Sequence, residues 1–234
     1  MSAIPENLQA VRQQIATVAR EVSRDAQSVT LLAVSKTFGA DAVMTAADAG
    51  QHAFGENYVQ EATDKIKILQ QKRPDLQLEW HFIGPIQSNK TRAIAEHFDW
   101  VHSIEREKIA QRFSEQRPLQ RPPLNICLQV NISGEASKSG VLPEQASVLA
   151  HAVASLPNLR LRGLMAVPEP EDDIDKQRAA FARLRILFEQ LRAQGLTLDT
   201  LSMGMSADMP AAIAEGATIV RIGSAIFGNR NYAK

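Results

Sequence analysis

Short apolar runs alternate along the chain with longer amphipathic segments, the rhythm of repeated strand and helix units around a parallel sheet. The pattern predicts eight strands, at 30–36, 53–57, 79–85, 100–104, 124–132, 159–167, 200–204 and 219–223. Apolar residues spaced three and four apart predict helices between them, among these 59–70, 91–97, 106–116, 144–155 and 175–194. Gly50, Gly195 and Gly216 stand where a glycine just past a helix end would, and Pro143 and Pro210 where a first-turn proline is tolerated. A further helix at 5–23 carries Leu8, Val11, Ile15, Val18 and Val22 in one stripe ahead of the first strand, and is expected to cap the barrel floor.

Eight strands each followed by a helix can close into a barrel, and closure removes the exposed edges that an open sheet would have to protect. A doubly wound dinucleotide fold would want a glycine-rich turn after the first strand, and Ser35-Lys36-Thr37-Phe38-Gly39 supplies none. The expected fold is therefore an α/β chain folded as a single (β/α)8 barrel over residues 1–234, a length within the range of one such barrel.

Lys plus Arg equals Asp plus Glu at 26 each, which removes the electrostatic footprint of a protein built for nucleic acid or an anionic membrane. Cys127 is the only cysteine and cannot form an intramolecular disulfide. No signal-peptide pattern opens the chain, and no apolar run approaches the roughly 20 residues needed to span a bilayer. A cytoplasmic protein is expected, with neither membrane nor nucleic acid as partner. The five histidines lack metal-site spacing. Lys65, Lys67, Lys72 and Arg73 surround a predicted helix end, where cations complement the dipole, and read as a solvated face. Phe181, Leu184, Leu187, Phe188 and Leu191 form a stripe expected to face the barrel.

In a parallel barrel the reactive face lies where strands end, so the polar residues there are the ones to question. Lys36 closes the first strand, Asn57 the second, His81 and Gly84 lie along the third, and Asn131 sits near the end of the fifth. A lysine ending an apolar strand places its amine in a partly desolvated mouth, which disfavours the ammonium and favours attack on an aldehyde. By position alone a lysine snorkelling to solvent is the commoner case. Ser202-Met203-Gly204-Met205-Ser206 and Arg221-Ile222-Gly223-Ser224 add a second element at the ends of strands seven and eight. Glycine amides and small hydroxyls in these loops often build a phosphate site. Gly204-Met205-Ser206 lacks the last glycine of a nucleophile elbow, so its serine reads as a binding group.

Val34-Ser35-Lys36, Phe54-Gly55-Glu56-Asn57-Tyr58, the run from His81 to Lys90, Ser202-Met203-Gly204-Met205-Ser206 and Arg221-Ile222-Gly223-Ser224-Ala225-Ile226-Phe227-Gly228 together resemble the YggS/PROSC family of pyridoxal phosphate homeostasis proteins, in its bacterial YggS branch. The resemblance spans nearly the whole chain. It implies a fold-type III barrel like the alanine racemase N-terminal domain. In that reading pyridoxal 5′-phosphate is held as a Schiff base on Lys36, with Ser206, Gly223 and Ser224 around the phosphate, Arg221 at the pyridine nitrogen, and Asn57, Asn131 and Met165 lining the pocket. Ala207 departs from the family pattern, where an acidic residue often precedes Asp208, and only a loop effect is expected.

The family buffers the cofactor or delivers it to apo-enzymes without established catalysis. An arginine at the pyridine nitrogen cannot favour its protonation as a carboxylate would, which weakens the ring as an electron sink. The chain also stops at Lys234, whereas racemases of this barrel type carry a further β domain. The alternative is a pyridoxal phosphate-dependent racemase or decarboxylase, which would need a base opposite Lys36; neither Tyr58 nor Tyr232 is an obvious fit. The loop at 134–140 is expected to act as a lid whose Lys138 makes a transient second cofactor contact, although a solvated loop lysine is the commoner case. A monomer is expected.

Overall fold

The computed structural model describes residues 3–134 and 139–228. Eight strands, β1 (Thr30–Val34), β2 (Ala53–Glu56), β3 (Glu79–Phe82), β4 (Trp100–Ile104), β5 (Leu124–Gln129), β6 (Leu159–Met165), β7 (Thr200–Ser202) and β8 (Ile219–Ile222), pair in chain order into a closed barrel. Every ladder is parallel, so all eight C-terminal ends share one face. β2, β4 and β8 are buried at every position, as strands must be when their inner side chains fill the barrel and their outer ones meet helices.

The helices are α1 (Ile4–Glu21), α2 (Ala40–Asp48), α3 (Val59–Lys72), α4 (Thr91–His97), α5 (Glu107–Gln116), α6 (Pro143–Ala154), α7 (Ile174–Ala193), α8 (Met209–Ala214) and the one-turn α9 (Ser224–Phe227). Phe181, Leu184, Phe188 and Leu191 of α7 are buried, as their spacing predicts. Gly50, Gly195 and Gly216 all take positive φ just past helix ends, and Pro143 and Pro210 lie in first turns. None of the helices is long and apolar enough to cross a membrane among the described residues.

One expectation is corrected. α1 does not cap the barrel floor; it packs in the outer ring against α2, α8 and α9. Its first turn is tied to the mouth, where Asn7 Nδ2 donates to the Ile226 carbonyl at 3.0 Å. Past its other end, Arg24 donates to the Ile213 carbonyl of α8 at 2.7 Å. The reason is the brevity of α9: four residues cannot cover the outside of β8 and β1, so the stripe of Leu8, Val11, Ile15 and Val18 does.

Several strands end sooner than the apolar pattern predicts. Ser35 and Lys36, Asn57, Gly84, Asn131, Gly204 and Gly223 all lie beyond the ladders, on the rim that the strand ends define. The β8–β1 register, Leu32 opposite Arg221 and Ala33 opposite Ile222, sets the Lys36 turn beside the Gly223-Ser224 turn.

Because Leu8 is fully buried in the seam between α1 and the barrel, Leu8→Ala is expected to lower unfolding free energy by about 3 kcal/mol, read from urea titration. A floor-capping helix outside the main core would lose far less.

Candidate functional site

The turn that carries Lys36 is braced on three sides. Before it, Ser35 Oγ donates to Glu56 Oε1 at 2.6 Å, and Lys65 Nζ donates to the Ser35 carbonyl at 2.9 Å. After it, Thr37 sits at φ 70, a conformation that disfavours a β-branched residue, and its N–H donates to Glu61 Oε1 at 2.7 Å. Phe38 then stacks on Phe227 of α9, ring centroids 5.1 Å apart, joining the lysine turn to the turn after β8. Lys36 itself is half-buried at the mouth.

Lys65 corrects a second expectation. It is not part of a solvated face: it is 3% exposed, and donates to the fully buried Glu56 at 2.5 Å and to Glu61 at 3.1 Å. Charge at a helix end favours solvent only where no acid lies within reach. Here the α3 register aims the ammonium at the ends of β1 and β2. Burial pushes the Glu56 carboxyl above the ordinary range, against the pull of Lys65 and Ser35. The other cations named with it do stay outside; Arg73 pairs with Asp48 and Asp75, and Lys72 with Asp41.

Across the mouth, Arg221 is buried at 5% exposure and spans β6 and β7. Its Nη1 donates to the Ser202 carbonyl at 2.6 Å and to Ser202 Oγ at 2.9 Å, and its Nη2 to the Ala166 carbonyl at 2.9 Å. Burial pushes its pKa down to about 10, which leaves it a cation at neutral pH. Gly204 (φ 94) and Gly223 are buried, whereas Ser206 and Ser224 are exposed on the rim. Asp208 Oδ1 accepts the Met205 N–H at 2.6 Å and closes the loop around Ser206, with Ala207 exposed beside it. The first amides of α9 have no intrahelical acceptor and add donors next to Ser224.

Asn57 follows β2, with its Oδ1 buried and without a hydrogen-bond partner. The β3 end presses on it so closely that a Cβ at Gly84 would overlap the Asn57 backbone. Met165 ends β6 and lines a cavity of about 400 Å³ with Gly84, Ser103, Glu105 and Gln129. This cavity opens in the β3 to β6 sector, while Lys36, Ser206, Gly223 and Ser224 occupy the sector of β1, β7 and β8. Asn131 is buried and turned into its own loop, where Oδ1 accepts Ser133 Oγ and the Gly134 N–H. Tyr58 caps α3 and is 51% exposed. Lys138 and Tyr232 lie outside the described residues.

A half-buried amine, a rim of hydroxyls and amides, and a buried guanidinium all lie at the strand ends, and the chain as a whole is a closed parallel (β/α)8 barrel. Comparison with known proteins makes this specific. The profile described as alanine racemase, N-terminal domain, matches residues 7–231. A pyridoxal phosphate homeostasis protein of Pseudomonas aeruginosa is 62% identical over 232 residues, 99% of this chain and 98% of that one. One from Escherichia coli is 53% identical over the full length of both. The chain belongs to the family of pyridoxal phosphate homeostasis proteins. PipY of Synechococcus elongatus, solved with pyridoxal phosphate bound, superposes at TM-score 0.83 with 38% identity, over 96% of this chain and 100% of that one. An alanine racemase of Clostridium difficile shares the fold at TM-score 0.71 and 15% identity, this chain covering 58% of it.

Removing Lys65 leaves the Glu56 carboxyl buried without its cation, so Lys65→Met is expected to cost about 3 kcal/mol, largely restored by Glu56→Gln in the same chain. In Lys65→Met the folded-state pKa of Glu56 rises further above its unfolded value. The folded state then holds the proton more tightly, and stability falls as pH rises through that pKa. Urea titrations should show a larger penalty at about pH 8 than at about pH 5.

Proposed function

We propose that the chain is a pyridoxal phosphate carrier: one barrel domain over residues 1–234 that holds the cofactor as a Schiff base on Lys36, and buffers it or delivers it to apo-enzymes in the cytoplasm, as a monomer without catalysis. The observation that carries this reading is the β8–β1 register, which sets the lysine turn beside the Gly223-Ser224 turn on one rim. The names and the cofactor-bound structure of the relatives support the same reading.

The site fits the group. Bound pyridoxal phosphate supplies an aldehyde carbon for the amine and an electron-withdrawing ring. Ser206, Ser224 and the amides after Gly223 give hydrogen-bond donors for the phosphate, exposed enough for exchange with solvent. Lys36 gives the amine, held between the Ser35 and Thr37 braces. Arg221 gives a donor for the ring nitrogen and, remaining a cation, supplies no carboxylate to stabilise a proton there. Asn57 has an unmatched buried carbonyl oxygen beside the pocket, and Met165 an apolar surface for one edge of the ring.

Purified protein incubated with pyridoxal phosphate is expected to develop a visible imine band that borohydride abolishes, with the reduced adduct mapping to Lys36. Lys36→Ala should remove the band. Loaded protein should reactivate an apo-enzyme while racemising and decarboxylating no amino acid. An adduct on another lysine with Lys36 unlabelled overturns the site, and amino-acid turnover that Lys36→Ala abolishes overturns the carrier reading in favour of an enzyme.

A further inference from the structure

A file of polar side chains runs through the barrel interior beneath Arg221. Ser202 Oγ lies 2.8 Å from His102 Nδ1, His102 Nε2 lies 2.9 Å from His81 Nδ1, and His81 Nε2 lies 2.7 Å from Glu79 Oε1. Ser202 and His102 are fully buried and His81 is 1% exposed, while Glu79, the first residue of β3, is about half exposed at the floor. Each neighbouring pair is within hydrogen-bond distance, so the file connects the floor to the mouth without a break. The His81 ring is stacked on Trp100 at 5.2 Å with an interplanar angle of 7°, and the Arg162 guanidinium lies 4.6 Å from the Trp100 ring, so the middle of the file is held laterally.

The two ends dictate the direction of every hydrogen. Arginine only donates, and a carboxylate only accepts. Ser202 Oγ accepts from Arg221 Nη1, and its one hydrogen goes to His102 Nδ1. His102 must then carry its hydrogen on Nε2 and give it to His81 Nδ1, and His81 gives its own Nε2 hydrogen to Glu79. The opposite order would start from a cationic His81 and finish with the Ser202 hydrogen buried without an acceptor. That orphan is costly, and burying a cation at 1% exposure adds to the cost. Burial, with the Arg221 charge nearby, holds His102 well below the ordinary histidine range, in keeping with a neutral ring. The His81 hydrogen bond holds Glu79 below the ordinary carboxylate range, in keeping with an acceptor.

We propose that Glu79, His81, His102 and Ser202 are positioning residues for Arg221: a single-file hydrogen-bond chain of fixed direction, from guanidinium to carboxylate, that locks the arginine so that its uncommitted N–H groups face the ring of the bound cofactor. Three of the five N–H donors of Arg221 go to Ser202 and Ala166, and the other two have no hydrogen-bond partner among the described residues. The identity of the group at the mouth rests on the carrier reading; the chain itself does not.

The test begins with cofactor-free protein labelled with ¹⁵N-histidine. The hydrogen-bond order places the single ring hydrogen of both His81 and His102 on Nε2, and this is the expected signal. A doubly protonated His81, or an Nδ1–H on His102, overturns the fixed direction whether or not pyridoxal phosphate binds. In loaded protein, Ser202→Ala should release pyridoxal phosphate about tenfold faster, the equivalent of one charge-assisted hydrogen bond, and Ser202→Thr should restore the rate. Correct tautomers with an unchanged release rate in folded Ser202→Ala overturn the positioning role. Should Ser202→Ala fail to fold, Glu79→Gln at the exposed end replaces it. The His81 Nε2 signal should then shift together with His102 and the release rate, and a shift confined to His81 overturns the proposal. Wild-type protein that forms no imine band overturns the carrier reading and the positioning role with it, while the tautomers still decide the chain.

Discussion

The structure depends on barrel closure between β8 and β1. Seven parallel ladders would still make a sheet, but only the eighth, with Leu32 opposite Arg221, carries the strand-eight turn round to the strand-one lysine. A parallel barrel has a chemical polarity, because every strand ends on the same face and the loops there can lose regular pairing without breaking the core. The residues that drop out of the ladders on that rim, among them Lys36, Asn57 and Gly223, are the candidate site. The Phe38–Phe227 stack adds a direct packing contact between the lysine turn and α9, so the lysine and the hydroxyl rim are coupled by packing as well as by register.

Closure also creates an interior too narrow for water-filled space, and this chain fills part of it with polar groups. Such groups are costly unless matched. Glu56 is matched through Oε1 to Lys65 and Ser35, while its Oε2 is buried without a hydrogen-bond partner among the described residues; Arg221 is matched to two backbone carbonyls and a serine; the two histidines are matched to their neighbours in the file. Each set meets a rim residue from behind. The Glu56–Lys65 pair meets the Lys36 turn, and the histidine file meets Arg221 through Ser202, so the polar interior supports the mouth while the apolar outer layer supports the barrel.

Much of this was legible in the amino-acid sequence, and the part that was not has physical causes. The strand count followed from the alternation of short and long apolar segments, and the polar residues at strand ends marked the rim. Strand lengths were overread, since Ser35 or Gly204 next to an apolar run shows no change of hydropathy when it leaves the ladder. α1 was placed beneath the barrel because a stripe tells which face is buried and not against what; only the brevity of α9 decides that. Lys65 was misplaced because its partner Glu56 lies on another element, beyond the reach of helical spacing. One signal for the missed interior pairings did exist. Glu56, His81, His102 and Ser202 are polar residues inside short apolar strands, and in a closed barrel an interior polar side chain needs a partner from another strand.

Exposure is graded across the candidate site in a way that suits a carrier. Arg221 and Met165 are buried, Lys36 is half-buried, and Ser206 and Ser224 face solvent. In the proposed reading a cofactor would have its ring toward the buried end and its phosphate at the rim, where solvent competes for the same hydrogen bonds. Affinity then comes from the deep, preorganised end, and release begins at the shallow one. An enzyme gains by excluding water from the reacting carbon. A carrier gains by leaving the amine accessible, because its bond to the cofactor has to be reversed by water or by a receiving lysine. The arginine serves that purpose as well. In the carrier reading proposed above, a donor that stays cationic at neutral pH would orient the ring without stabilising the protonated form that commits a bound amino acid to reaction.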